Sequence, residues 1–165
     1  MAKDFRELLV EASRHETFGR FFKELQIGLK VVASFQASAT HSCEPEETLD
    51  DIYAYTKWEI SLRQVNKPIT TVNLGAWTTL QHNVWAKNFD SPEYQTCVEG
   101  NFISVSDAQQ CFNDVVEYAL ANNQLESEDD IRVVEPDENL KKASKGCGGC
   151  AGSKKTEEPV AAPAE

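Results

Sequence analysis

Two cysteines near the C-terminus have the spacing of a chelating or redox-active pair. Cys147 and Cys150 are separated by two glycines, which permit the tight turn that brings two sulfur atoms together. A structural zinc site needs four ligands, and the chain has no second Cys-x-x-Cys or His-x-x-x-His pattern. Cys147 and Cys150 are therefore the candidate metal ligands, with zinc or iron as candidate ions, although the sequence does not require a cofactor. A second copy of the chain could supply the missing thiolates, so self-association stays open.

The chain has five cysteines in all, and the other three lie in different surroundings. Cys97 and Cys111 belong to segments that we expect to be ordered, where cysteine behaves as a small buried hydrophobe. Cys43 lies in a polar loop that allows exposure, but no neighbouring residue clearly activates its thiol. An odd number of cysteines without a signal peptide argues against a disulfide scaffold.

Recognisable catalytic patterns are lacking. The chain has no phosphate-binding Gly-rich loop ending in Lys-Ser/Thr, no Gly-x-Ser-x-Gly elbow and no His-Glu-x-x-His. Glu11 and His15 would share one face of a helix, and Asp50 and Asp51 form an acidic pair, but surface positions explain both. The sequence favours a protein without enzymatic activity.

The net charge of the chain limits the classes of partner that it can bind. The net charge is −11, and because residues 141–165 hold five Lys and three Glu, the remainder carries −13. Binding to a phosphate backbone depends on Lys and Arg, so we expect no nucleic-acid partner. No run of residues is apolar enough for a membrane span, and the N-terminus lacks the apolar stretch of a signal peptide. The cytoplasm is the expected compartment.

The N-terminal segment has apolar residues at helical spacing. Asp4 and Glu7 match a capping box, in which side chains bond the free N–H groups of the first turn. Glycine can close a helix, so we expect this one to end around Ile27 and Gly28. We therefore predict one long N-terminal helix. Its buried stripe would consist of Phe5, Leu8, Leu9, Ala12, Phe18, Phe22 and Leu25.

Two segments alternate between apolar and polar residues, as strands with one buried face do. The first is 29–38, and the second is 57–63, where Trp58, Ile60 and Leu62 share a face. We predict that the two segments pair antiparallel. A helix through the first segment is the alternative.

Helical patterns return in the C-terminal half. Residues 73–87 carry a helical stripe that includes Trp77 and Trp85, which we expect in the core. The clearest helix begins at the capping-box pattern 106–109 and should end near residues 122–123. Its buried face would consist of Ala108, Cys111, Phe112, Val115, Val116 and Ala119.

The predicted fold class is α+β. A small antiparallel sheet would be packed by the long N-terminal helix and the C-terminal helix, with short strands near 101–105 and 131–134. An all-α bundle is the alternative. The predicted organisation is a single acidic domain over 1–139 and a disordered tail over 140–165, rich in Lys, Gly, Ala and Pro, that carries the Cys-x-x-Cys pair.

A long acidic connection joins the two alternating segments. Its sequence begins Thr40-His41-Ser42-Cys43-Glu44-Pro45 and continues through Thr48-Leu49 and Tyr55 to the second strand. Connections of this length are uncommon in compact domains, although a solvated acidic loop also explains this one. The run resembles small uncharacterised proteins carried by phages and prophages over about residues 28–122. No activity is implied by that resemblance.

Two functions from different classes follow. The leading prediction is a non-enzymatic protein-binding or accessory protein encoded by a phage or mobile element. The alternative is a thiol-redox or metal-shuttle protein that acts through the tail with Cys147 and Cys150.

Overall fold

The computed structural model describes residues 3–65, 74–90 and 97–136. The chain divides into two units, Met1–Glu135 and Pro136–Glu165. The described strands and helices all belong to the first unit. The predicted domain boundary after residue 139 and the predicted disorder of 140–165 lie outside the described residues.

The regular structure of the described residues consists mainly of strands. The strands are β1 (Glu11–His15), β2 (Gly19–Phe22), β3 (Glu24–Ile27), β4 (Val31–Gln36), β5 (Lys57–Gln64), β6 (Val98–Ser104) and β7 (Arg132–Val134). The α-helices are α1 (Trp77–Leu80) and α2 (Val105–Ala121). Single 3₁₀ turns span Phe5–Leu8, Ile52–Ala54, Val84–Asn88 and Glu128–Asp130.

Five strands form one antiparallel sheet in the order β6-β5-β4-β3-β7, and β1 and β2 form a separate hairpin. Strands β2 and β3 are separated by Lys23 alone, so one bent stretch of chain contributes to both sheets. The core lies on one face of the larger sheet, where α2 packs against β3, β5 and β6.

The predicted α+β fold with a long N-terminal helix is wrong. The segment starts with the 3₁₀ turn Phe5–Leu8, which is capped by the Asp4 side chain, and then forms three strands. Among the residues of the predicted stripe, Phe18 is exposed while Phe22 and Leu25 are buried, which a single helical face would not produce. The described part of the chain is rich in sheet and contains one α-helix of more than four residues, α2.

Two glycines in the N-terminal segment explain this difference. Gly19 (φ +78°) and Gly28 (φ +84°) adopt the left-handed conformation that glycine reaches without a steric cost. Gly19 begins β2 after a three-residue loop, opposite His15, and Gly28 begins the turn from β3 to β4. The glycine expected to close a helix therefore closes a hairpin. Strand pairing between distant segments therefore outweighed the helical spacing of the apolar residues in this segment.

The antiparallel pair of central strands is confirmed. Strands β4 and β5 pair from Val31 opposite Gln64 to Gln36 opposite Glu59. Every residue of β4 is buried, however, although the alternation predicted one solvated face. The polar residues Ser34 and Gln36 are therefore inside the protein.

Helix α2 is also confirmed, and the predicted apolar residues are buried. It begins at Val105 with Ser104 as its N-cap, two residues before the predicted capping box at 106–109. Residues 74–90 form α1 and a 3₁₀ turn rather than one continuous helix, and Val84 is exposed. Trp77 and Trp85 are buried as expected, and the Trp85 indole N–H donates to Asp114 of α2. None of the helices in the described ranges has the length and apolarity to cross a membrane.

Candidate functional site

The predicted metal ligands Cys147 and Cys150 lie outside the described residues. Within 3–65, 74–90 and 97–136, no group of three or more His, Cys, Asp or Glu side chains is placed to hold a metal ion. Cys43, for which the polar loop sequence allowed exposure, is completely buried, and its thiol donates to the carbonyl oxygens of Ser38 and Pro45. Cys97 and Cys111 are buried as predicted.

The three described cysteines are poor nucleophiles. Burial raises the pKa of the Cys43 thiol, that of Cys97 to about 12, and that of Cys111 well above its usual value. The thiolate is the reactive form of cysteine, so these three side chains stay protonated and inert at neutral pH.

The pair Glu11 and His15 is not on a helix, because both residues belong to β1. The Glu11 carboxylate bonds the guanidinium of Arg14, and the His15 ring accepts a hydrogen bond from the amide of Thr17. The arrangement does not couple a carboxylate to an imidazole as a general-base pair requires.

The acidic connection between β4 and β5 has a defined structure. We call residues 44–51 the acidic loop, since five of these eight residues are Glu or Asp. All five acidic side chains belong to exposed residues, and the loop leads into the 3₁₀ turn Ile52–Ala54. These exposed acidic residues are Glu44, Glu46, Glu47, Asp50 and Asp51.

Arg20 of β2 holds the acidic loop from inside the protein. This side chain is 1% exposed, and its guanidinium donates to the carbonyl oxygens of Leu49 and Ala37 and to the Tyr55 hydroxyl. Its Nε atom is buried without a hydrogen-bond partner among the described residues. No described carboxylate forms an ion pair with it, although the ring of Phe22 lies 4.5 Å from the guanidinium carbon. A buried cation stabilised by neutral oxygens and an aromatic face is unusual.

A second arginine holds the same part of the loop from outside. Arg14 lies directly opposite Arg20 in the hairpin, and it is exposed. Its guanidinium bonds Glu11 of its own strand and reaches Asp50 at 3.0 Å. The two arginines thus hold two consecutive residues, Leu49 through its carbonyl and Asp50 through its carboxylate.

Tyr55 completes the hold on the acidic loop. Its hydroxyl donates to the carbonyl oxygen of Glu47 and accepts from the amide of Leu49 at 2.8 Å. The same hydroxyl accepts a hydrogen bond from Arg20 of β2. The buried Tyr55 side chain therefore links β2 to Glu47 and Leu49 of the loop.

The residues that lead into the loop are fixed to the hairpin. His41 is 7% exposed, its Nδ1 lies 2.7 Å from the Ser38 hydroxyl, and its ring meets the Phe21 ring edge-on. Thr40 donates its hydroxyl hydrogen to the carbonyl oxygen of Phe18 at the hairpin turn. Burial, and secondarily the charge of Arg20, lower the pKa of His41 to about 4, so the imidazole is neutral at neutral pH.

The sheet face away from α2 is polar. The register places Ser34, Ser61 and Glu99 side by side on β4, β5 and β6. On this face Glu24 pairs with Arg63 at 3.0 Å, and the neutral Cys97 thiol donates to the Glu99 carboxylate, with 3.6 Å between the two atoms. These contacts describe a structural polar network rather than a set of groups free to react.

Comparison with known proteins finds no family model, no curated protein and no solved structure that matches the chain. The resemblance to phage-borne proteins stays a prediction.

Sequence reasoning missed Arg20, His41 and Tyr55. The signal for Arg20 was its position in Gly19-Arg20-Phe21-Phe22, where a cation interrupts an apolar run. An arginine in such a run is either on a surface or buried with hydrogen-bond acceptors, and only the tertiary structure shows which.

Proposed function

We propose that this chain is a non-enzymatic protein-binding protein and that the acidic loop is its contact surface. One observation carries the proposal: Arg14 and Arg20 bond two consecutive residues of the loop while its five acidic residues remain exposed. A loop of this length that is bonded at both ends differs from a solvated connection.

The energetic cost of this arrangement supports a role for the loop's shape. Transfer of a charged side chain from water to the interior costs several kcal/mol per ion, and an apolar side chain of similar volume is often as stabilising. Arg20 is nevertheless buried without a described carboxylate. Its hydrogen bonds all go to groups of the β4–β5 connection, so it stabilises the position of that connection.

The charge of the surface determines the kind of partner. Glu46 and Glu47 form no ion pair with another described residue, and both are exposed. A protein segment rich in Lys and Arg would be attracted and oriented by such a surface, whereas a nucleic acid would be repelled. Salt screens interactions between exposed charges, so binding should weaken as ionic strength rises.

The test is affinity capture followed by mass spectrometry with charge-reversed bait. The variant Glu46→Lys with Glu47→Lys should lose a basic partner that the unchanged chain retains. The matched control, Glu117→Lys with Glu126→Lys, makes the same change in net charge at exposed positions outside the loop and should retain it. Retention of the same partner by both variants, or the absence of any basic partner, would contradict the proposal.

The second candidate function uses Cys147 and Cys150 as a thiol-redox or metal-shuttle pair. It rests on the Cys-Gly-Gly-Cys spacing, which suits chelation or exchange of a disulfide. The test is the zinc and iron content of protein purified without oxygen, next to the Cys147→Ser, Cys150→Ser variant. Stoichiometric metal that disappears in the variant would favour this candidate, while metal-free protein in both samples would leave only disulfide exchange.

A further inference from the structure

His41 occupies the junction between the hairpin and the segment that leads into the acidic loop. Its amide donates to the carbonyl oxygen of Ser38 at 3.1 Å, and its own carbonyl accepts from the amide of Cys43 at 2.9 Å. The imidazole adds the contact with the Ser38 hydroxyl and the edge-on contact with Phe21, whose ring centroid is 4.8 Å away. The ring therefore fastens the start of the β4–β5 connection to β2.

The charged and titratable groups around this ring come from three places. Arg20 of β2 contributes a buried positive charge, and Cys43 of the same connection contributes a protonated thiol. From β5, Glu59 accepts a hydrogen bond from the amide of Ser42, the next residue, at 2.8 Å. No described carboxylate forms an ion pair with His41. A proton added to the ring would create a second buried cation beside the guanidinium of Arg20.

We propose that His41 is an acid-sensitive latch, whose protonation releases residues 38–51 from β2 and opens the acidic loop. When the loop is open, the ring is hydrated and has the ordinary histidine pKa of about 6.5. In the closed form, burial and the charge of Arg20 lower the pKa of His41 to about 4. Between these two values the open form binds more protons, so opening becomes more favourable as the pH falls through this window.

The pKa of the Glu59 carboxyl is also shifted in the closed form, so its effect must be separated from that of His41. Burial raises the pKa of Glu59, so its protonation favours the closed form in acid and opposes the latch. The acidic loop is also held by the ion pair of Asp50 with Arg14, which does not involve the imidazole. A variant that removes only the imidazole distinguishes these contributions.

Hydrogen exchange of single amides measures the opening. The reporter amides are Cys43, bonded to the His41 carbonyl, and Leu49, bonded to the Tyr55 hydroxyl. After correction for intrinsic exchange, we expect their protection to fall about 30-fold from pH 7.5 to pH 5, given a shift of the imidazole pKa from about 6.5 to about 4. Amides in the β4–β5 pairing should change much less and serve as the reference.

His41→Gln retains a polar side chain that does not titrate, and it should lose most of this pH dependence. The matched control is His82→Gln, which removes an exposed histidine and should retain it. Equal protection at both pH values in the unchanged chain would overturn the proposal. An identical pH dependence in His41→Gln, or equal losses in the loop and in the reference strands, would also overturn it.

A measurement on the unchanged chain remains decisive if the variant does not fold. The ring signals of His41 can be followed by NMR from pH 7.5 to pH 4. The latch requires that the His41 ring still be neutral at pH 5. A ring that titrates at the ordinary histidine value would overturn it. Neither readout involves a partner, so failure here is distinct from failure of the proposed protein-binding function.

Discussion

At the scale of single residues, Arg20 combines a buried charge with bonds to groups that lie far away in the chain. Its acceptors are the carbonyl oxygens of Ala37 and Leu49 and the hydroxyl of Tyr55. Each buried acceptor that loses its donor adds a desolvation penalty, which is larger than the net gain from the original hydrogen bond. The contribution of Arg20 is therefore better measured by substitution than by counting its contacts.

We predict that Arg20→Lys lowers the free energy of unfolding by about 1–3 kcal/mol, because one ammonium group cannot reach all the acceptors of the guanidinium fork. Urea unfolding followed by tryptophan fluorescence measures the change, since Trp58 is buried in the core.

The control is Arg14→Lys on the neighbouring strand. Arg14 is exposed and its ion pairs are solvated, so this change should alter the free energy of unfolding by less than about 1 kcal/mol. Similar losses of unfolding free energy in both variants would show that the burial of Arg20 does not increase its contribution to stability.

At the scale of elements, the side chain of Gln36 joins the hairpin to the sheet. Its carbonyl oxygen accepts from the amide of Phe22 at 2.9 Å, and its NH₂ group donates to the carbonyl of the same residue at 3.0 Å. The NH₂ group also donates to the Ser34 hydroxyl. A side-chain amide thus satisfies the buried backbone groups at the end of β2, where the chain passes from the hairpin into β3.

We predict that Gln36→Leu lowers the free energy of unfolding by about 2–5 kcal/mol, because it leaves both backbone groups of Phe22 buried without partners. Gln36→Glu keeps an acceptor for the Phe22 amide, and a carboxyl group protonated on burial can donate to the Phe22 carbonyl, so its cost should be smaller. Chemical denaturation of the two variants, together with Gln26→Leu at a half-buried position, provides the comparison. A loss for Gln36→Leu no greater than that for Gln26→Leu would contradict the assignment.

At the scale of the whole molecule, charge and thiol chemistry are separated along the chain. Residues 1–140 carry a charge of −13 and three cysteines, and residues 141–165 carry +2 and the remaining two. The three cysteines of the first part are buried, with pKa values raised mainly by burial.

We predict that the folded Cys147→Ser, Cys150→Ser variant has no thiol that reacts rapidly with a chromogenic disulfide at pH 7.5. After unfolding in guanidinium chloride, the same variant should release the signal of three thiols, for Cys43, Cys97 and Cys111. A rapid reaction of one thiol in the folded variant would show that one of these three side chains is accessible.

The local pattern of apolar and polar residues was sufficient to predict the elements that have one buried face and one more exposed face. Helix α2 has its polar and apolar residues on opposite sides, and β5 alternates strictly, so both were predictable from sequence. The N-terminal segment misled prediction because β2 and β3 are buried on most sides, with Arg20 and Glu24 among the buried residues. The segment therefore lacks the alternation of a strand with one buried face.

For the candidate site, only the negative charge and the length of the loop could be predicted from the sequence. The acidic composition of residues 44–51 and the unusual length of the β4–β5 connection are visible in the sequence. The contacts that fix the loop are not visible in the sequence, because Arg20, His41 and Tyr55 bond residues that only folding brings close to them.

The sequence by itself determined the net charge, the amphipathic helix α2 and the antiparallel pairing of the central strands, since these depend on residue types and on short-range periodicity. Only the tertiary structure decided that the N-terminal segment forms strands and that Arg20, Gln36 and His41 are inside the protein. The physical reason is that a polar side chain can be buried only where hydrogen-bond partners are already in place. For Arg20 and Gln36 those partners are on segments distant in the chain.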